Sequence, residues 1–228
     1  MKQVYLDTFG CQMNVADTDR MELILFHSGY RRTQAKEDAD LILVNTCSIR
    51  EKAEQKTFSL FGSLKPLKLA NPELILGLTG CLGQQDGKKL LQRMPYLDFV
   101  MGPDQVDDVA HAVDRVRTNG KSFVWTGFDQ EKTYSIPPSS LPKAPGASTF
   151  VNIIKGCDKF CTFCVVPYTR GREKSREPDE LYREITHLVD HGAKEIILLG
   201  QNVNSYGKRG LKSPMPFHKL LYGVAQIP

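Results

Sequence analysis

Two short runs constrain the fold more than anything else in the chain: "DLILVNT" (Asp40–Thr46) and "ELILGLTG" (Glu73–Gly80). Each is apolar at nearly every position, so neither keeps a face for water. A strand of that kind is buried on both sides, as inside a parallel sheet. Parallel neighbours need a crossover, usually a helix, and the sequences in between have that character. "NVADTDRMELILFHSGY" carries Met21, Ile24, Leu25 and Phe26 at roughly helical spacing, with Asp17 or Thr18 as the expected cap and Gly29 as the stop. "SIREKAEQKTFSLFGSLKPL" is expected to be helical up to Pro66. Further helices are expected near Gln84–Arg93 and in "DQVDDVAHAVDRVR". With "QVYLDTF" as a first strand and "LDFVMG" as a last one, residues 1–118 read as an α/β domain on a parallel sheet.

The texture then changes. Residues 119–147 include "GFDQEKTYSIPPSSLPKAPGA", rich in proline and poor in apolar residues, and read as a surface linker that also holds Trp125. "FVNIIKG" (Phe150–Gly156) starts a second βα pattern. "PDELYREITHLVDHGA" is a helix with Pro178 before an acidic first turn, Leu181, Ile185, Leu188 and Val189 as its apolar stripe, and Gly192 as its stop. "KEIILLGQNVNSYG" is a buried strand breaking into a polar turn, and another helix begins near Pro216.

A net charge of +4 over 228 residues rules out a polycation, so any nucleic-acid contact must come from a local patch. The start "MKQVYLDTFG" has no h-region and no Arg-rich amphipathic stretch, and no run approaches a membrane span. The expected compartment is the cytoplasm, where six cysteines point to metal binding or catalysis before disulfides.

Cys157, Cys161 and Cys164 form a C-x-x-x-C-x-x-C cluster directly after an expected strand. Zinc sites usually pair two knuckles, and no second pair lies nearby. Ferredoxin-type clusters use four thiolates. A cubane held by three leaves one iron open to a small molecule, which it can bind through an amine and a carboxylate. Zinc, or structural cysteines on a loop, are the alternatives. The other three cysteines, Cys11, Cys47 and Cys81, end "LDTFGC", "LVNTC" and "GLTGC". Each follows an expected strand, so a parallel sheet would deliver all three to its carboxyl edge, where ligands bind in open α/β folds. Gly10 and Gly80 are expected to let the backbone pass close to a bulky inorganic group. Helices that follow the cysteines would aim amides at it. Buried structural cysteines at strand ends are the alternative here.

The cluster with Phe163 before its last cysteine resembles the radical S-adenosylmethionine signature. "TFGCQMNVADTD", "VNTCSIREKAEQK" and "GLTGCL" resemble the N-terminal domain of the methylthiotransferases. "GCQMN", "MGPDQ", "GCDKFCTFCVVPYTRGREKSR" and "LLGQNVNSYG" resemble the MiaB-type tRNA branch of that family. They look less like the branches that act on a ribosomal protein or on threonylcarbamoyl-adenosine. The matches run from Tyr5 to Gly207.

The resemblance implies a flavodoxin-like sheet domain over 1–118, a linker over 119–147 and the start of a radical β/α partial barrel over 148–228. A six-stranded partial barrel needs roughly 200 residues at ~30 per βα unit. The chain is therefore expected to be a fragment lacking the rest of the barrel and the family's RNA-binding TRAM domain. The resemblance further implies two [4Fe-4S] clusters, one on Cys157, Cys161 and Cys164 and an auxiliary one on Cys11, Cys47 and Cys81. S-adenosylmethionine would lie with Phe163 and Val165 beside its adenine and Gln201 and Asn202, with Asn204 a weaker candidate, at its amino group. The implied reaction is methylthiolation at C2 of a prenylated adenosine beside the tRNA anticodon, through a 5′-deoxyadenosyl radical. The implied partners are tRNA and an electron donor such as flavodoxin or ferredoxin; a monomer with no membrane attachment is expected. Arg170, Arg172, Lys174 and Arg176 are candidate tRNA phosphate contacts, with a solvated loop as the alternative, and Tyr168 is read as cover for the cluster. The rival of another class is a non-catalytic electron-transfer or zinc protein.

Overall fold

A computed structural model describes residues 1–129, 135, 141 and 145–228, which fall into two compact units, Met1–Phe128 and Asp129–Pro228. The first unit is built on a six-stranded, all-parallel sheet in the order β2-β1-β3-β4-β5-β6. Its strands are β1 (Lys2–Phe9), β2 (Tyr30–Arg32), β3 (Leu41–Thr46), β4 (Ile75–Gly80), β5 (Phe99–Met101) and β6 (Phe123–Trp125). The first five follow the 2-1-3-4-5 order of flavodoxin-like folds. Helices α1 (Gln12–His27) and α4 (Val109–Asn119) cover one face; α2 (Glu51–Ala70) and α3 (Cys81–Arg93) cover the other. The period of two in β3 explains both layers at once. Leu41 and Leu43 pack with Met21, Leu25 and Val113, whereas Ile42 and Val44 pack with Phe61, Leu64 and Leu90. Every residue of β3 and β4 is buried, as their unbroken apolar character requires.

Four details differ from the sequence reading. Helix α1 is capped by Cys11, whose backbone is extended, so Asp17 and Thr18 lie buried inside the helix. Helix α2 passes through Pro66 and ends at Ala70. Leu60, Phe61 and Leu64 anchor it to the core, while Pro66 and Gly62 are both exposed. The carbonyl that loses its donor to proline therefore faces water, which replaces the bond. Helix α3 starts at Cys81, because Gly80 itself makes the cap at φ 96°, and it kinks at Gly87. Finally, Phe123–Trp125, inside the segment read as a linker, pairs with β5 as a sixth strand. Phe123 stacks on Phe99 with ring centroids 6.0 Å apart.

In the second unit β7 (Ser148–Asn152), α6 (Pro178–Asp190) and β10 (Glu195–Leu199) form a βαβ unit with β7 and β10 parallel. A two-residue antiparallel ribbon, β8 (Ile154–Lys155) with β9 (Lys174–Ser175), closes a loop that holds the three cysteines and the short helix α5 (Val166–Thr169). Helix α7 (Phe217–Val224) follows. Val151, Ile153, Leu181, Ile185, Leu188, Tyr206 and Leu220 make the core, with Ile196 and Leu198 of β10 packed against it. The strand "KEIILLG" is only half-buried on both faces, and of its apolar residues only Ile196 and Leu198 pack against that core. No helix among the described residues is long and apolar enough to cross a membrane.

Candidate functional site

The first cysteine trio follows three neighbouring strand ends. Phe9, Thr46 and Gly80 are paired across β1, β3 and β4 as their last residues. Cys47 and Cys81 are each the next residue, side by side, and the Cys47 N–H still donates to the Phe9 carbonyl at 2.8 Å. Cys11 stands two residues past the end of β1, at the cap of α1. Cys81 is the first residue of α3, and Cys47 precedes α2 by a short loop in which the Ile49 N–H donates to its Sγ at 3.3 Å. Three adjacent strands thus deliver three thiols to the carboxyl edge, with Cys11 and Cys81 at the N-termini of α1 and α3, where anionic sulfur is favoured. No disulfide links any of the six cysteines.

Behind the trio lies a buried polar network built on two asparagines. Asn14 and Asn45 are 0% and 1% exposed. Asn14 Oδ1 accepts from the Cys11 N–H and lies 3.3 Å from Cys11 Sγ. Asn14 Nδ2 donates to Asn45 Oδ1 at 3.0 Å, and Asn45 Nδ2 donates to the Asn14 carbonyl at 2.9 Å and to Thr18 Oγ1 at 3.1 Å. The glycines before Cys11 and Cys81 also bear on this network. A Cβ at Gly10 would sit 2.4 Å from Asn14 Oδ1, and one at Gly80 2.4 Å from Asn45 Oδ1. They make room for the two carboxamides.

The second trio sits on the loop between β8 and α5. Cys157 is buried and its N–H donates to the Gly171 carbonyl at 3.1 Å; Cys161 is exposed and Cys164 half-buried, joined by a turn in which the Cys164 N–H donates to the Cys161 carbonyl at 2.9 Å. Gly156, at φ 74°, lets the loop pass against the segment that leads into β9, since a Cβ there would meet the Arg172 carbonyl at 2.2 Å. Asp158 holds the base of the loop. Its carboxylate accepts from Arg172 Nε at 2.6 Å, from the Glu173 N–H at 3.0 Å and from Arg209 at 3.4 Å. The Arg172 hydrogen bond, with help from the Glu173 amide, keeps its carboxyl below the usual range. Asp158→Asn is expected to raise amide exchange roughly tenfold across residues 156–173 while leaving the first unit unchanged, as hydrogen–deuterium exchange would register.

Among the described residues no three His, Cys, Asp or Glu side chains come close enough to hold a single metal ion. One zinc would draw its thiolates to about 2.3 Å from a shared centre. A cubane gives each thiolate its own iron and accepts a wider triangle, so both trios fit a cluster in ligand type and number.

The remaining sequence-derived residues divide. Phe163 is 93% exposed beside the trio, and Val165 caps α5. Asn202 Nδ2 donates to Ser205 Oγ at 2.8 Å, and Glu173, whose carboxyl is raised by burial, bonds the same serine. Gln201 Oε1 is buried and accepts no hydrogen bond among the described residues. The same is true of Oδ1 of Asn152, a residue the sequence reading missed. Asn152 pairs with Leu199 at the carboxyl ends of β7 and β10, two positions before Gln201. Asn204 is exposed. The four basic residues do not form one surface patch. Only Arg172 is exposed; it is engaged by Asp158 and lies over the Phe160 ring. Lys174 is half-buried and donates to the Asp129 carbonyl, Arg170 is buried, and Arg176 is fully buried against Glu184. Tyr168 is exposed and meets Phe160 edge-on at 6.4 Å.

Two family models match the chain: the uncharacterized protein family UPF0004 over residues 3–102, which contain the first trio, and the radical SAM superfamily over residues 151–215, which contain the second. The chain is 47% identical over 224 residues to the tRNA-2-methylthio-N(6)-dimethylallyladenosine synthase of Bdellovibrio bacteriovorus, covering 98% of itself and 48% of that protein. It is 46% identical to the synthase of the same name from Chromobacterium violaceum, covering 51% of it. The chain belongs to the radical S-adenosylmethionine methylthiotransferase family. It spans about half the length of the curated relatives it matches. Membership in this family implies S-adenosylmethionine and a [4Fe-4S] cluster. The fold is also that of the radical S-adenosylmethionine methyltransferase TsrM from Kitasatospora setae, solved with tryptophan and a cofactor analogue. The TM-score is 0.56 at 11% identity, over 90% of this chain and 48% of that one.

Proposed function

We propose that this methylthiotransferase chain carries the cluster-binding part of a tRNA-2-methylthio-N(6)-dimethylallyladenosine synthase. The first unit, extended to the end of β6, would hold an auxiliary [4Fe-4S] cluster on Cys11, Cys47 and Cys81. After a linker, the second would hold the radical cluster on Cys157, Cys161 and Cys164, as the N-terminal part of a partial barrel. One observation carries the reading: the ends of three adjacent strands lead into three cysteines in one unit, while a second trio is clustered on one loop in the other. When bound, the clusters supply the electron that cleaves the sulfonium and the sulfur that is transferred. The substrate is the aromatic C2–H of a prenylated adenosine beside the tRNA anticodon, a hydrogen too weakly acidic for a side-chain base, so cofactor radical chemistry is the route. The protein's part is positioning. An amine bound to iron keeps two N–H donors, and the orphaned Gln201 Oε1 and Asn152 Oδ1 would accept them. Phe163 and Val165 would bracket the adenine, with Asn202 held alongside by Ser205. The setting would be the cytoplasm, with flavodoxin or ferredoxin as electron donor and the protein acting as a monomer.

Anaerobic reconstitution tests this. About eight irons per chain are expected, falling to about four when either trio is replaced. Cys161→Ala should abolish the change that added S-adenosylmethionine makes in the EPR spectrum of the reduced protein, and Cys11→Ala should spare it. Zinc without iron, or iron indifferent to S-adenosylmethionine, would overturn the proposal.

A further inference from the structure

The sheet fixes two of the first trio and leaves the third to something else. Cys47 and Cys81 follow directly from paired strand ends, so the β3–β4 ladder sets their separation. Cys11 lies beyond the ladder: the last bond between β1 and β3 in that direction is the one from the Cys47 N–H to the Phe9 carbonyl. Gly10 and Cys11 have no strand partner, yet a three-thiol cluster site needs Cys11 placed as well as the other two.

We propose that the paired carboxamides of Asn14 and Asn45 are the positioning element that holds Cys11 in place for the auxiliary cluster; the inference rests on the reading that the first trio binds one. Asn45 is anchored in β3, where it pairs with Thr8 on one side and Thr79 on the other, two residues before Cys47. Through it, Cys11 is referred to the same strand that places Cys47. The link is fully specified. Asn45 spends both its amide hydrogens, on the Asn14 carbonyl and on Thr18, and its oxygen takes the Asn14 amide. Thr18 in turn donates to the Asn14 carbonyl and accepts from Thr8. Those bonds leave Asn14 Oδ1 one orientation, toward the Cys11 N–H. Rotating either amide by half a turn would set oxygen against oxygen at about 3 Å. The two glycines that precede Cys11 and Cys81 are independent support, since a side chain at either would displace one of these two oxygens. Fully satisfied buried polar networks fix a unique geometry, and half-satisfied ones are costly.

The test uses the whole 228-residue chain with Cys157, Cys161 and Cys164 replaced by Ala, so that only the first trio can bind iron. After anaerobic reconstitution, loss of iron to a chelator and the reduction potential of the bound cluster are measured. Asn14→Ala and Asn45→Ala are each expected to speed iron loss roughly 10–100-fold, as removal of outer-shell partners does. The double variant should be little worse than either single one, because the two act as a unit. Leu25→Ala, in the core of α1 and away from the network, controls for lost stability; it should leave the potential and the iron-loss rate close to the parent's. Asparagine variants that match Leu25→Ala in both readouts, or whose effects simply add, would overturn the brace while leaving the cluster. A parent that takes up no iron would overturn the cluster reading and the brace with it.

Discussion

Replacing Arg176 by alanine is expected to make the second unit unfold far more readily, and to do nothing specific to RNA affinity. The guanidinium is completely buried. Its Nη2 is 2.6 Å from Glu184 on α6, and its Nη1 donates to the Asn152 carbonyl at the end of β7 at 3.0 Å. Its own carbonyl accepts from the buried Tyr206 hydroxyl at 2.7 Å. One residue therefore ties together the strand before the cysteine loop, the crossover helix and the turn after β10. Removing it strands a buried carboxylate, at a cost of about 3–5 kcal/mol. A surface arginine that touched a phosphate would behave otherwise: stability would hold, and the salt dependence of RNA binding would fall by about one counterion. Urea denaturation followed in the second unit separates the two. Arg176→Met combined with Glu184→Leu should recover most of the loss, since a buried pair replaced by apolar groups of similar volume is often neutral. If Arg176→Ala unfolds at the parent's urea concentration, the pair is not what holds the unit.

That residue also shows where sequence reading stops. In "TRGREKSR" the charges look like one patch, because the eye sees spacing and not direction. The ribbon turns the run so that Arg172 faces solvent and Arg176 the interior, and its partner Glu184 lies on a later helix. Burial on both faces made β3 and β4 legible, and the stripe Leu181, Ile185, Leu188 and Val189 made α6 legible, because both signals are periodic and local. β6 was not legible: three residues are too few to show a period, and only pairing with β5 makes them a strand. Pro66 misled because its penalty depends on whether the orphaned carbonyl faces core or water. The cysteines could be placed at strand ends, but their proximity needed the order β1-β3-β4, which follows from the crossover after β2. Asn14 and Asn45 gave no signal, since a satisfied buried amide and an ordinary cap are written with the same letter.

Gly80→Ala is expected to damage stability and the first iron site together. Gly80 has φ 96° and ψ −163°, a region open almost only to glycine, which costs another residue about 1–3 kcal/mol. The added Cβ would also lie 2.4 Å from Asn45 Oδ1 and 2.5 Å from the Thr46 carbonyl. The first contact is to a side chain locked by its hydrogen bonds, and the second is to the backbone of the neighbouring strand, so neither yields cheaply; overpacking of this kind adds roughly 1–3 kcal/mol. Relief by shifting β4 away from β3 would move Cys81 away from Cys47, which is why iron should be lost along with stability. Gly62→Ala is the matched control: it lies on the exposed face of α2 with nothing within 4 Å of a new Cβ, and it should stabilise by about 0.5–1 kcal/mol. Adding Asn45→Ala to Gly80→Ala removes only the side-chain contact, so stability should not return while the φ strain and the Thr46 carbonyl remain. A Gly80→Ala chain that keeps both the parent's urea midpoint and about four irons on the first trio would mean that the end of β4 is free to move and that strand register does not place Cys81.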